Sequence, residues 1–151
     1  MKKLALKDVK VLFFDSSEKN GFKPSVTIEV TEQIYEQLSK FWSENQIGKP
    51  KSGVAVGELN LKEYDGKYQF TIKLSPNTKY AGLDGLSKDN IGYGAIVDMQ
   101  VNAYEYNNAF TGGKTFVGAS VSAILVVREA SANNNDISEL IASRQETDGG
   151  F

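Results

Sequence analysis

The feature that most restricts what this chain can fold into is a pair of long alternating segments between Gly94 and Arg128. In the first, Ala95, Val97, Met99, Val101 and Ala103 occupy every second position, with Asp98, Gln100, Asn102, Tyr104 and Tyr106 opposite them. In the second, Val117, Ala119, Val121, Ala123, Leu125 and Val127 alternate with Phe116, Gly118, Ser120 and Ser122. Successive side chains of a strand point to opposite faces, whereas a helix repeats every three or four residues. Both segments are therefore strands with one apolar face. The short glycine-bearing NNAFTGGK between them makes a hairpin.

The rest of the chain extends this pattern. Residues 4–14 read as a strand in two sets, Leu4 and Leu6, then Val9, Val11 and Phe13, and the break at Lys7–Asp8 predicts a bulge. Ser16–Gly21 is a loop, and Val26, Ile28 and Val30 mark a second strand. Over 31–46 the period changes to that of an amphipathic helix. Thr31 is its N-cap, Ile34, Tyr35, Leu38, Phe41 and Trp42 form its apolar stripe, and GKPKSG at 48–53 ends it. The aromatics of that stripe are expected in the core.

Another hairpin spans 53–64 and 67–75 around Asp65–Gly66, a favoured two-residue turn. Tyr68, Phe70, Ile72 and Leu74 are expected on its core side, and a period break at Gly57 suggests a bulge or corner. Pro76–Tyr93 reads as a long loop. The sum is a mainly β chain of about six strands closing into a barrel, with one helix placed to plug an end. Residues 1–129 form the domain. Residues 130–151 form a flexible acidic tail, in which Asp136 and Glu139 can cap a short helix running to Arg144.

Composition narrows function by exclusion. The chain has no cysteine and no histidine, which removes disulfides, thiolate or imidazole metal sites and Cys or His catalysis. The carboxylates are scattered, with no calcium-loop spacing, and no phosphate-binding glycine motif is present. No enzyme and no cofactor are expected. The opening MKKLALKDVKVLFFD resembles a signal peptide, but Lys7, Asp8 and Lys10 interrupt it, and no apolar run is long enough to span a membrane. The expected location is the cytoplasm.

The net charge of −2 hides an asymmetry. Residues 1–128 carry 16 Lys+Arg against 14 Asp+Glu, whereas 129–151 carry one arginine against five acids. A mildly basic body with an acidic end suits a polyanion partner.

The alternation places Tyr104, Tyr106 and Phe116 on the polar face of their hairpin, with the small residues Gly118, Ser120 and Ser122 open to a ligand. Aromatic faces among lysines are what a single strand of nucleic acid requires, since bases stack on them without reading sequence. Lys62, Lys67 and Lys73 share an outward face with Tyr64. Lys49, Lys51, Lys79, Tyr80 and Lys114, in connectors and turns, are further candidate contacts. Phosphate contacts from these lysines would make affinity depend on salt.

The segments G-x-x-V-x-M-Q-V-N-A-Y-E-Y-N-N and G-G-K-x-x-x-G-A-S-V-S-A-I-L-V-V, covering Gly94 to Val127, resemble the C-terminal hairpin of the OB-fold single-stranded-DNA-binding proteins of tailed phages. The GVAVGELNLKEYDGKYQFTIKL hairpin fits more loosely, and the acidic end closing in phenylalanine is similar as well. The resemblance implies an OB-type barrel that binds single-stranded DNA in phage replication or recombination, within the host cell cytoplasm. It also implies a tail, through Glu146, Asp148 and Phe151, that recruits replication proteins such as DNA polymerase. Tail exchange between subunits would offer a route to a homodimer. Stacking alone does not separate RNA from DNA. A structural β-barrel of a virion or assembly complex is the rival reading, and it predicts no salt-sensitive DNA binding.

Overall fold

The computed structural model describes residues 2–16, 23–49, 55–107 and 112–129. The acidic tail with its capping box, Lys51, the 17–21 part of the first loop and the tip of the NNAFTGGK turn lie outside the described residues. In the order of the chain come β1 (Lys3–Asp15), β2 (Ser25–Val30), α1 (Glu32–Asn45), β3 (Lys62–Tyr64), β4 (Lys67–Gly82), β5 (Ile96–Tyr106) and β6 (Phe116–Arg128). A 3-10 turn, Lys88–Asn90, precedes β5.

The strands run β2-β1-β5-β6-β4-β3, and β4 also pairs with β2, so the sheet closes in a ring. Every pairing is antiparallel except β4 with β6, which is parallel. This is the expected mainly β, OB-type architecture, with one α-helix among the described residues. The parallel pair departs from an all-antiparallel reading, because alternation specifies a strand and not its direction relative to a neighbour.

The interior is aliphatic. Leu6, Val9, Val11, Val26, Ile28, Leu38, Val97, Val101, Val121 and Val126 are fully buried, each such burial contributing roughly 1.5–3 kcal/mol. The stripe Ile34, Leu38, Phe41 and Trp42 packs α1 against the strands. Thr31 caps the helix, its hydroxyl accepting from the Ile34 N–H at 3.3 Å. Tyr35, expected in the core, is exposed instead.

Bulges decide which faces turn inward. The one expected at Lys7–Asp8 is present: pairing with β5 shifts between Leu6 and Val9, and Asp8 adopts a φ of 52°. Asp98 braces it, accepting the Asp8 N–H at 2.9 Å and pairing with Lys7 at 3.7 Å. A second shift, between Val11 and Phe13, turns Phe13 outward and lets Phe14 pack on the core. A third lies at Ser122, since Gln100 faces Ala123 while Val101 faces Val121. Beyond it Ile124 and Val126 are buried, correcting the expectation that Ala123, Leu125 and Val127 point inward.

The first hairpin is shorter on one side and longer on the other than its sequence suggests. Asp65–Gly66 forms the turn with both φ angles positive, 54° and 77°. Among the described residues only Lys62–Tyr64 pairs before it, however, and β4 continues through Pro76 to Gly82. The register with β6 shifts between Leu74 and Lys79. There the Thr78 hydroxyl lies 2.6 Å from the Ser75 carbonyl and 2.8 Å from that of Val121, tying the irregular stretch to β6. Of the expected core side, Ile72 and Leu74 are buried, Phe70 is half-buried, and Tyr68 is exposed.

Candidate nucleic-acid interface

The site arises where β4 changes partners. Its residues 68–73 pair with β2, whereas 73–82 pair with β6. The outer part of the β5–β6 hairpin is therefore left standing beside the first half of β4, with a groove between them. That groove, of about 710 Å³, is lined by Thr71, Ile72 and Lys73 of β4 and by Tyr104, Tyr106, Val117, Gly118 and Ala119 of the hairpin. Trp42 and Ile47 close it from the core side. An adjoining hollow of about 610 Å³ shares Lys23, Lys73 and Tyr104 with it and adds Pro24, Ser75, Pro76, Asn102 and Ser120.

One aromatic row borders this groove. Tyr104 and Tyr106 stand 6.0 Å apart between ring centroids, and Tyr106 and Phe116 stand 6.2 Å apart. Strand spacing explains the row: Tyr104 and Tyr106 are two residues apart on one face, and Phe116 is directly opposite Tyr106. Opposite Tyr104 stands Gly118. A β-carbon there would lie 2.8 Å from Tyr104 Cζ, so the glycine provides the seat for this ring. Gly118 was expected to admit a ligand; the structure gives that space to the tyrosine. Ser122, expected to serve the same end, sits at the bulge with its hydroxyl 3.2 Å from Gln100 Nε2 and 3.3 Å from Asn102 Oδ1.

Lysines complete the groove. After α1 the chain turns through Gln46, at a φ of 50°, and Gly48 donates its N–H to the Val117 carbonyl at 2.8 Å. This tether delivers Lys49 to the hairpin, where its ammonium stands 5.8 Å from the Tyr106 ring centroid. Lys23, Lys49 and Lys73 line the groove, and among the described residues its lining contains no carboxylate. Burial, and secondarily the neighbouring Tyr106, raise the Tyr104 phenol above its ordinary value of 10.0. The ring face presented to a ligand is therefore that of a neutral phenol. An anionic chain with flat bases matches such a surface: ammonium groups for phosphates, and rings for bases.

The other candidates separate into groups. Lys62 and Lys67 line a second hollow, of about 560 Å³, over the outer side of β1, β2 and β4, together with Lys10, Phe13 and Tyr93. Lys79 and Tyr80 line a different cavity, with Ala5, Asp98, Ala123 and Leu125. The Tyr80 ring is engaged by Phe14 at 6.1 Å and by the Lys88 ammonium at 4.9 Å. Lys114 is exposed in the hairpin turn and lines none of these hollows. Tyr64 belongs to β3, with its side chain outside the described residues, as are Lys51, Glu146, Asp148 and Phe151. Sequence reasoning missed Lys23, Lys10, Phe13 and Tyr93. Lys23, directly before Pro24 and β2, could have been found as a basic residue at a strand entry.

No family model matches the sequence, and no curated protein matches it. Solved structures do. The single-stranded DNA-binding protein of bacteriophage Enc34, in complex with ssDNA, superposes with a TM-score of 0.53 at 14% identity, over 85% of this chain and 87% of that one. The same phage protein alone gives 0.52 at 14% identity, over 85% and 82%, and its C-terminal truncation gives 0.51 at 13% identity, over 85% and 87%. The chain thus has the fold of these phage proteins.

Proposed function

We propose that this chain binds single-stranded DNA without regard to sequence, serving phage replication or recombination in the host cell cytoplasm, and that it is not an enzyme. The observation that carries the reading is the groove between β4 and the β5–β6 hairpin. There Tyr104 and Tyr106, continued by Phe116, face Lys23, Lys49 and Lys73, with no carboxylate among the described residues of the lining. The likeness to a phage protein solved with ssDNA supports it. Bases stack on the rings, each contributing about 1–3 kcal/mol, and the ammonium groups neutralise phosphates. RNA meets the same rings, so discrimination would rest on contacts to the sugar.

Residues 130–151 serve in this reading as an acidic arm. Their carboxylates compete with DNA for the lysine groove, and Phe151, with Glu146 and Asp148, docks on replication partners such as a polymerase. The test is a fluorescence-anisotropy titration with labelled oligo(dT) and a duplex of equal length, at low and high salt. The reading expects preference for the single strand and weakening as salt rises. Equal affinity for duplex and single strand, or no binding at low salt, would refute it.

A further inference from the structure

Beyond its bulge at Ser122, β6 turns Ala123, Leu125 and Val127 outward, while Ile124 and Val126 are buried. A sheet face open to water ordinarily carries polar side chains at its outward positions. Here three successive ones are apolar, so this side of the ring has surface to bury.

The neighbouring strands extend the surface. In one row Ala5 of β1 pairs with Gln100 of β5, Gln100 with Ala123, and Ala123 with Lys79 of β4. In the next, Asp98 pairs with Leu125 and Leu125 with Ala81, while Lys7 reaches Asp98 from β1. All of these residues line one open hollow of about 490 Å³. Four strands spaced about 4.8 Å apart make a face about 14 Å wide. With alanines on its floor, it accommodates one helix of about 10 Å diameter.

An apolar cover would leave no polar group of this face without a partner. Asp98 accepts the Asp8 N–H at 2.9 Å and pairs with Lys7. Gln100 Nε2 donates to Asn102 Oδ1 and to Ser122 Oγ, both at 3.2 Å. Lys7 and Lys79 belong to the two outer strands of the four, where a long stem can flank the cover and keep its ammonium in water.

The chain carries a segment of matching character. Residues 136–144 have the sequence of a short helix capped by Asp136 and Glu139. At about 100° per residue, Ile137, Leu140 and Ile141 fall on one side of it, with Glu139 and Ala142 on the other. Its attachment point is held in place, since the Glu129 carboxylate accepts from Asn90 Nδ2 at 3.3 Å. The residues 130–136 span at most about 25 Å, and Leu125 lies only about 13 Å back along β6 from Glu129.

We propose that residues 137–144 cover this face of their own chain as a short helix, with Ile137, Leu140 and Ile141 against Ala5, Ala81, Ala123 and Leu125. So short a helix is marginal alone in water. Tethering raises its local concentration to the millimolar range, so a small contact area suffices to hold it. The dock divides the tail into a held segment and an end, 145–151, and fixes the side of the ring from which Glu146, Asp148 and Phe151 are presented. Docking and DNA binding are tested apart, because the measurements below contain no DNA.

The absence of cysteine from the chain makes disulfide trapping clean. Full-length protein carrying Ala123→Cys together with either Ile141→Cys or Ala142→Cys is oxidised mildly, and closure within one chain is followed on non-reducing gels. The Ile141 pair should close at least tenfold faster than the Ala142 pair, because the two positions face different sides of a docked helix. Hydrogen exchange supplies a second reading without cysteines. Amides of 137–144 should be slowed at least tenfold in wild type, and Ala81→Arg should abolish the protection. Ala81 is exposed, so that substitution leaves the core intact. Equal closure of the two pairs, disulfides formed only between chains, or exchange in 137–144 as fast in wild type as in Ala81→Arg would overturn the dock. Disulfides between chains would place the segment on a second copy instead.

Discussion

Two outer surfaces of this ring are built from the same strands and differ in what they can bind. One is the groove between the first half of β4 and the outer part of the β5–β6 hairpin, with Tyr104, Tyr106 and three lysines. The other is the cavity over β1, β5, β6 and the second half of β4. Its lining is mostly Ala5, Ala81, Ala123, Leu125 and neighbouring strand residues, with Lys7 and Lys79 as cations. There Lys7 is paired with Asp98, and the ring of Tyr80 is engaged by Phe14 and Lys88. The sheet is common to both; what differs is that the outer end of the β5–β6 hairpin carries a row of three rings beside three lysines, whereas the other surface has the single ring of Tyr80 and the carboxylate of Asp98. Strand geometry supplies the platform, and the side chains at each end decide what it can bind.

The largest expected break in this contrast is the double substitution Tyr104→Ala with Tyr106→Ala. It should lower affinity for oligo(dT) about a hundredfold, because two stacking partners are lost together. Circular dichroism should remain unchanged, since these rings belong to the hairpin surface rather than the core. A fall of less than threefold would place binding elsewhere.

Next in size is Gly118→Val, which changes no groove charge. Its branched side chain would occupy the seat of the Tyr104 ring, where even a β-carbon comes within 2.8 Å of Cζ. Affinity should drop about tenfold as that ring is displaced, whereas Ser120→Ala on the same strand should bind as wild type. The salt dependence sharpens the contrast further. Replacing Lys23 or Lys49 by alanine should each reduce the slope of log affinity against log salt by about 0.7. Lys79→Ala, on the other surface, should leave the slope unchanged.

The smallest expected effect is that of pH. The chain contains neither His nor Cys, the side chains whose charge ordinarily changes near neutrality. The Tyr104 phenol is raised above 10.0 by burial and by Tyr106, so raising pH from 6 to 9 leaves it protonated. Affinity at constant salt should be flat across that range, as an anisotropy titration at each pH would show.

The sequence was informative where structure is local and periodic. Alternation in 94–106 and 116–121 placed Tyr104, Tyr106 and Phe116 together on one face, and the structure has them in one row. The helix, its Thr31 cap and the Asp65–Gly66 turn were equally legible, because each depends on a few neighbouring residues. The bulges at Leu12 and Ser122 were not. An inserted residue inverts every later position, and neither leucine nor serine announces one. Phe13 was therefore grouped with Val9 and Val11, and Leu125 was placed on the core side. The parallel β4–β6 pair and the continuation of β4 past Pro76 depend on contacts between distant segments, such as Thr78 with Val121. Lys23 and Lys49 reach the groove through chain geometry that no periodicity encodes.

The most direct measurement of the central claim is photochemical crosslinking of the full-length protein to bromouracil-substituted oligo(dT), followed by mass-spectrometric mapping of the adducts. Adducts at Tyr104 and Tyr106, lost on competition with unlabelled oligo(dT), would place the strand in the groove between β4 and the hairpin, as the account predicts. Adducts concentrated at Tyr80 and the surface around Ala123, with Tyr104 and Tyr106 unmodified, would contradict it.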